Sequence, residues 1–465
     1  FRLIFTIRKL MKHRFPFHLT WLVGCIIGLS ACNLVTYQPT ETITQIEPQT
    51  GYRLSTAMEQ ALQKENLLIV TFSGGGSRAA SLGYGVLEQF KNTPVRPTEK
   101  GDTLLDNIDV VYGVSGGAVL AGYFSLEGRD VIPKFNERFL NKNLQKELIS
   151  QVFSLSNMPR LTSSQFGRSD LLQERLNLTL YKNKKFADLA TQRKGPFAVI
   201  SATDMTAGQK VNFTQDFFDV LCLNLNDLQI ARAVAASSAV PLIFSPITLN
   251  NHGGNCRFKY PLRMTSQYQL STLAQQNLMA MKAYMTRYQD TQSHPYLHLV
   301  DGGLTDNLGL AGLLDISNVM QLEELYAMLE QSQLRNIVVV NVNAQNEITT
   351  EMDKSADIPG ITDVVNTVIR VPINKTSEST LQYSQKFTEQ WNAYAKRHKG
   401  RKIQIYFVNL SLEQLPDGKL KNEVLNIGTS FYLPTSDVEK LRAAAKILLD
   451  QSKEYQAALK VLQEK

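Results

Sequence analysis

The chain predicts an α/β fold, a mostly parallel sheet covered by helices on both faces. Three observations carry this. Short β-branched apolar runs recur along the sequence, each bounded by glycine or polar turn residues, as buried parallel strands require. Segments with apolar residues at helical spacing stand between them, and such alternation marks crossover connections. At 465 residues, with 43% apolar and 20% charged content, the chain can bury a large core and is neither disordered nor polytopic.

Taken in order, residues 67–72 read as the first strand and 81–91 as the first helix, with Leu82, Val86, Leu87 and Phe90 in register. Residues 109–113 and 116–126 form the next strand and helix. Further strands are predicted at 196–201, 210–213, 296–300, 336–342 and 402–408. Two stretches break the alternation. Residues 130–190 read as amphipathic helices rich in Phe, Leu, Lys and Arg, suited to a lid, a lipid-facing wall or plain core. Residues 250–295 carry a long helix over 271–288. The chain closes on one helix over 437–462, capped by Ser436. Without repeats or low-complexity segments, residues 66–465 read as one domain with helical insertions near 130–190 and 250–295.

Residues 1–31 read as a targeting segment. Met11-Lys12-His13-Arg14 supplies a positive start, and Trp21 to Leu29 an apolar stretch too short to span a bilayer. With Phe1 rather than methionine first, residues 1–10 are expected to be foreign to the natural product. Leu29-Ser30-Ala31-Cys32 resembles the bacterial lipoprotein cleavage box. That resemblance implies cleavage before Cys32 and a diacylglycerol on its sulfur; an ordinary signal peptide with an incidental cysteine is the alternative. Asn33 in place of Asp then points to a bacterial envelope protein anchored in the outer membrane, facing the periplasm. Residues 32–65, rich in Thr, Gln and Pro, read as the lipidated cysteine and its tether.

The net charge of +7 is misleading. Arg2, Arg8, Lys9, Lys12 and Arg14 stand in residues 1–31 with no acid, so the remainder carries only +2. No basic run remains, which excludes nucleic acid as a partner. Of four cysteines, Cys25 lies in the apolar stretch and Cys32 is the anchor. Cys222 and Cys256 remain, and an even pair in an exported protein reads as a disulfide, against the alternative of two buried thiols.

The chemistry gathers at three glycine-rich blocks. Gly113-Val114-Ser115-Gly116-Gly117 ends a strand and opens a helix, the setting of a nucleophile elbow. Gly74-Gly75-Gly76-Ser77-Arg78 also follows a strand and precedes a helix, so its N–H groups can meet an anion. It could serve as an oxyanion hole or, through Gly74-x-Gly76-x-x-Ala79, as a dinucleotide loop. A dinucleotide unit needs an acid at the end of the next strand, where this chain has Ser115, so the oxyanion hole is favoured. Asp301-Gly302-Gly303 follows the strand over 296–300 and reads either as a base or as a turn aspartate.

A serine nucleophile needs a base. None of His13, His18, His252, His294, His298 and His398 stands in a triad context. The base is therefore Asp301 or an unrecognised histidine, and a carboxylate base requires a partly dry cleft that raises its pKa. Metal-ligand spacing is absent, and no cofactor is implied.

In this order, the Gly74–Arg78 loop, the Ser115 elbow, Ala236-Ser237-Ser238-Ala239-Val240-Pro241 and Asp301-Gly302-Gly303 resemble the patatin-like phospholipase family. Ala202-Thr203-Asp204, with Thr206 and Gly208, fits as well, and the similarity runs from about residue 66 to 310. The resemblance implies a three-layer α/β/α fold and a Ser-Asp dyad at Ser115 and Asp301. It also implies an oxyanion loop of Gly74, Gly75 and Gly76 braced by Arg78. The one departure is Ala79, where the family commonly has glycine. The 236–241 block reads as small-residue packing. The implied substrates are phospholipids or lysophospholipids, met at a membrane through the lipid anchor. A non-catalytic envelope lipoprotein that binds lipid or protein is the rival reading.

Overall fold

The computed structural model describes residues 35–265, 272–346 and 356–464. Among the described residues ten strands form: β1 (Asn66–Phe72), β2 (Pro94–Thr98), β3 (Gly101–Thr103), β4 (Val110–Val114), β5 (Phe197–Asp204), β6 (Gln209–Asn212), β7 (Ile247–Asn250), β8 (Tyr296–Val300), β9 (Asn336–Asn343) and β10 (Gln404–Ser411). All but the β2–β3 hairpin join one sheet of order β10-β9-β1-β4-β5-β8-β7, with β6 also paired to β5. The five strands from β10 to β5 run parallel. β4 and β5 are buried along their whole length; the apolar runs of β4 and of residues 197–200 foretell this, while Ser201, Thr203 and Asp204 are buried polar residues at the carboxyl end of β5.

The helices that matter to the site are α1 (Gly76–Lys91), α2 (Gly116–Glu127), α3 (Ile230–Ser237), α4 (Gly303–Asp306), α5 (Ile361–Arg397), α6 (Thr435–Gln451) and α7 (Lys453–Gln463). Strand alternation assigns the two faces. Phe72 pairs with Gly113 and Thr71 with Tyr112, so these pairs point oppositely. A Cβ on Gly83 of α1 would meet Phe72, and one on Gly113 would meet Ala121 of α2. On the other side, Gly309 packs at Thr71 and Tyr112, next to α4 and the long α5. Helices thus flank the sheet on both faces, the expected three-layer α/β/α arrangement.

Several local expectations change. The strand over 296–300 is present, but β8 runs antiparallel to both β5 and β7. The closing helix is two, because Ser452 leaves helical geometry at ψ 112° and caps α7 through its side chain. Ser436 does not cap α6, which begins at Thr435 after Pro434. The long helix of the second insertion spans Thr272–Gln289. Cys25, Cys32 and the rest of residues 1–34 lie outside the described residues.

The later part of the segment expected to be a loose tether is docked on the globule. Tyr52 is buried, stacks on Phe197 at 4.0 Å and donates to the Ala198 carbonyl. Arg53 pairs with Asp219 at 2.8 Å, and Leu54–Ala61 is helical. Aromatic burial outweighs a polar composition here. Cys222 and Cys256 are joined as a disulfide, with Cα atoms 5.4 Å apart.

Candidate active site

Ser115 connects β4 to α2 with φ 52° and ψ −119°, a conformation that costs a non-glycine residue about 1–3 kcal/mol. The two residues after it must be glycine for lack of space. A Cβ on Gly116 would lie 2.0 Å from the Gly76 carbonyl oxygen, and one on Gly117 would lie 2.3 Å from that of Phe72. The elbow is thereby pressed against the loop that follows β1. The Ser115 N–H donates to Ser237 Oγ at 2.9 Å, and that hydroxyl donates to the Ser201 carbonyl at 2.6 Å.

Sheet register brings the carboxylate to the serine. Val114 on β4 pairs with Ser201 on β5, so Ser115 comes level with Ala202. Across β5, Val300 on β8 pairs with Thr203. Because β8 runs the opposite way, the next residue, Asp301, also comes level with Ala202. The antiparallel direction matters: β8 starts beyond the carboxyl edge and returns its aspartate to it. Ser115 Oγ donates to Asp301 Oδ2 at 2.8 Å, and the Gly303 N–H donates to Oδ1 at 2.8 Å. Asp301 is 8% exposed, and burial raises its carboxyl to about 6 against those two hydrogen bonds. Among the described residues no cation bears on it. The partly dry setting that a carboxylate base requires is therefore present.

The Gly74–Gly76 loop corrects one expectation. The Gly74 N–H is already bonded to the Asn307 carbonyl at 2.9 Å, so it is not a free donor. Among the described residues the Gly75 and Gly76 amides have no acceptor, and Gly76 opens α1. Gly75 and Gly76 hold φ of 136° and 59°, which glycine adopts without strain. Arg78 turns away from the serine and braces the loop. Its Nε donates to the Ala344 carbonyl at 2.7 Å and its Nη1 to that of Ile427 at 2.6 Å. Burial lowers the guanidinium to about 10, and no acid among the described residues pairs with it. Ala79 sits buried within the first turn of α1. With α2 opening at Ser115, two helix N-termini meet beside the hydroxyl, where a negative charge is favoured.

Two residues carry more of the site than their sequence context announced. Ser237, read as packing, accepts from Ser115 through its hydroxyl and from the Gly302 N–H through its carbonyl (3.1 Å), while Ala239 O accepts from the Asp301 N–H (3.0 Å). Asn307 holds Gly74, and its Oδ1 fills the space a Cβ on Gly74 would need. Both act through backbone contacts between distant segments, and Ser237 was at least inside a recognised block. The described histidines stay apart from the pair: His298 faces Thr248 at 3.3 Å and His398 bonds Glu330 at 3.1 Å.

A strained serine at the carboxyl edge of such a sheet sets the class: an α/β/α protein built around a serine elbow. The chain belongs to the patatin-like phospholipase family, whose sequence model matches residues 70–314. No curated protein matches the chain. Among solved structures, human GIVD cytosolic phospholipase A2 aligns at 14% identity and TM-score 0.42, over 88% of this chain and 65% of its own. The same human protein in complex with methyl gamma-linolenyl fluorophosphonate aligns at 13% identity and TM-score 0.39, over 88% of this chain and 61% of its own. The chain thus spans less than two thirds of the length of these structures.

Proposed function

We propose that the protein hydrolyses carboxylic esters of phospholipids or lysophospholipids through a Ser-Asp dyad and an acyl-serine intermediate. The observation that carries this reading is the 2.8 Å hydrogen bond from Ser115 Oγ to a buried carboxylate with no counter-charge among the described residues. Family membership supports the lipid acyl class. Asp301 takes the hydroxyl proton as Oγ attacks the ester carbonyl. The Gly75 and Gly76 amides hold the developing oxyanion, one such donor contributing about 3–4 kcal/mol. Protonated Asp301 returns its proton to the departing alcohol, which leaves the acyl group on Ser115. Water, deprotonated by the same carboxylate, then attacks the acyl-serine, and Asp301 returns that proton to Ser115 Oγ as its bond to the acyl carbon breaks and the fatty acid leaves. On the same footing, a lipid on Cys32 would hold the enzyme on the bacterial outer membrane, facing the periplasm.

Covalent labelling by a fluorophosphonate probe tests the reading. We expect labelling of the wild-type chain, none of Ser115→Ala, and release of fatty acid from phospholipid or lysophospholipid by the wild type alone. A chain that binds lipid but neither labels nor releases fatty acid would be a non-catalytic envelope lipoprotein instead.

A further inference from the structure

An apolar face left exposed among the described residues lies outside the catalytic pair. The helix Leu144–Val152 buries Leu144 and Leu148, which leaves Lys146, Ile149 and Phe153 on one exposed side. Phe153 is 76% exposed and Leu155 88%, with Ile149 and Met158 more than half exposed beside them. Leu242 and Ile243 are also mostly exposed, and Leu242 holds φ 70°, a strained setting for a leucine. Arg168 Nη2 donates to the Leu242 carbonyl at 2.8 Å, and Ser169 bonds Ser245. The Arg160 guanidinium covers Phe166 at 4.1 Å, which ties 158–161 to the same corner.

The described chain begins at this corner. Ser163 Oγ donates to the Val35 carbonyl at 2.9 Å, and the Tyr37 N–H donates to Gln165 Oε1 at 2.7 Å. Cys32 precedes Val35 by three residues, a reach of about 10 Å at most. Lys142, Lys146 and Arg168 stand exposed around the apolar group with no acidic partner among the described residues. The loop that carries Leu242 starts at Ser237 and Ala239, which hold Ser115 and Asp301.

We propose that Ile149, Phe153, Leu155, Met158, Leu242 and Ile243 form a docking face for a phospholipid bilayer. Their side chains enter the interfacial layer while Lys142, Lys146 and Arg168 meet anionic headgroups. Docking is a property of this face and not of the dyad, so it goes beyond the hydrolytic reading and does not need it. The face would turn an anchored enzyme so that the loop above its site touches lipid.

The test uses the full chain with Cys32→Ser, so that no covalent lipid competes, and Ser115→Ala, so that vesicles are not consumed. Flotation with vesicles of phosphatidylcholine and phosphatidylglycerol should recover this protein. Phe153→Ser with Leu155→Ser should lower its partitioning at least about tenfold. Lys142→Gln with Lys146→Gln should lower it on the mixed vesicles and leave phosphatidylcholine vesicles unaffected. With Ser115 restored, the Phe153/Leu155 variant should hydrolyse a soluble p-nitrophenyl ester at the unaltered rate. Unchanged partitioning of that variant would overturn the proposal. So would loss of binding only in Val364→Ser with Val368→Ser on α5, or a dimer that the Phe153/Leu155 variant disperses. A chain that docks normally yet turns over no ester would refute the hydrolysis and leave the face standing.

Discussion

Two aspartates at opposite edges of the sheet are equally buried and oppositely equipped. Asp109, just before β4 at the amino edge, is 7% exposed and accepts from Lys64 at 2.6 Å, Lys100 at 3.0 Å and the Leu68 N–H at 3.0 Å. Asp301, at the carboxyl edge, is 8% exposed and accepts only from a hydroxyl and one amide. Two ammonium groups make the first carboxylate a structural tie. Leaving them out suits the second to the base role proposed for it, because its charge is dear to keep and a proton relieves it. Burial alone does not mark a catalytic acid or base; burial without compensation does.

The sharpest break of that comparison is by substitution at the site. Ser115→Ala and Asp301→Asn should each lower ester turnover by about four orders of magnitude or more, measured as p-nitrophenol release, with the fold intact by circular dichroism. Asp109→Asn should leave turnover near the wild-type value. Stability should respond in the opposite sense. The Asp301 carboxyl is raised to about 6 in the folded chain against an ordinary 3.8. Its contribution is fully present below pH 4 and is lost as pH rises through 6, a swing of about 3 kcal/mol. Asp301→Asn should therefore raise the melting temperature at pH 8 and have little effect at pH 4. Asp109→Asn should lower it at pH 8 by the equivalent of about 1–3 kcal/mol, since two lysines and an amide lose their acceptor.

Smaller effects sharpen the picture of how the pair is held. Arg78→Met removes two buried hydrogen bonds to carbonyls and should cost about 2 kcal/mol in urea unfolding, with a fall in kcat as the glycine loop loosens. Ser237→Ala should lower kcat about tenfold and leave KM for a short soluble ester unchanged, because the residue positions Ser115 and does not touch substrate.

The elbow, the aspartate and the central strands were legible because each is written locally. β4 and the first half of β5 are apolar runs, and Gly113 to Gly117 announce a turn with little space for side chains. What the sequence left out is tertiary. Strand direction has no local signature, so the antiparallel course of β8, which delivers Asp301, was invisible. Edge strand β7 is four residues long, too short for alternation to stand out. The helix α5 was missed because Pro372 lies inside it, a breaker on local grounds. Packing overrides it: Trp391 is buried and donates to the Ile403 carbonyl beside β10, and Asn392 bonds the Ile405 backbone. The occupied Gly74 amide and the tie through Asn307 depend on backbones 233 positions apart meeting, which no motif encodes.

The most direct measurement of Asp301 as an uncompensated base is the rate of fluorophosphonate labelling of Ser115 as a function of pH. The wild-type rate should rise through about pH 6 to a plateau, and Asp301→Asn should lose the step and label orders of magnitude more slowly. Labelling of Asp301→Asn at the wild-type rate, with the same pH profile, would show that some other group takes the proton.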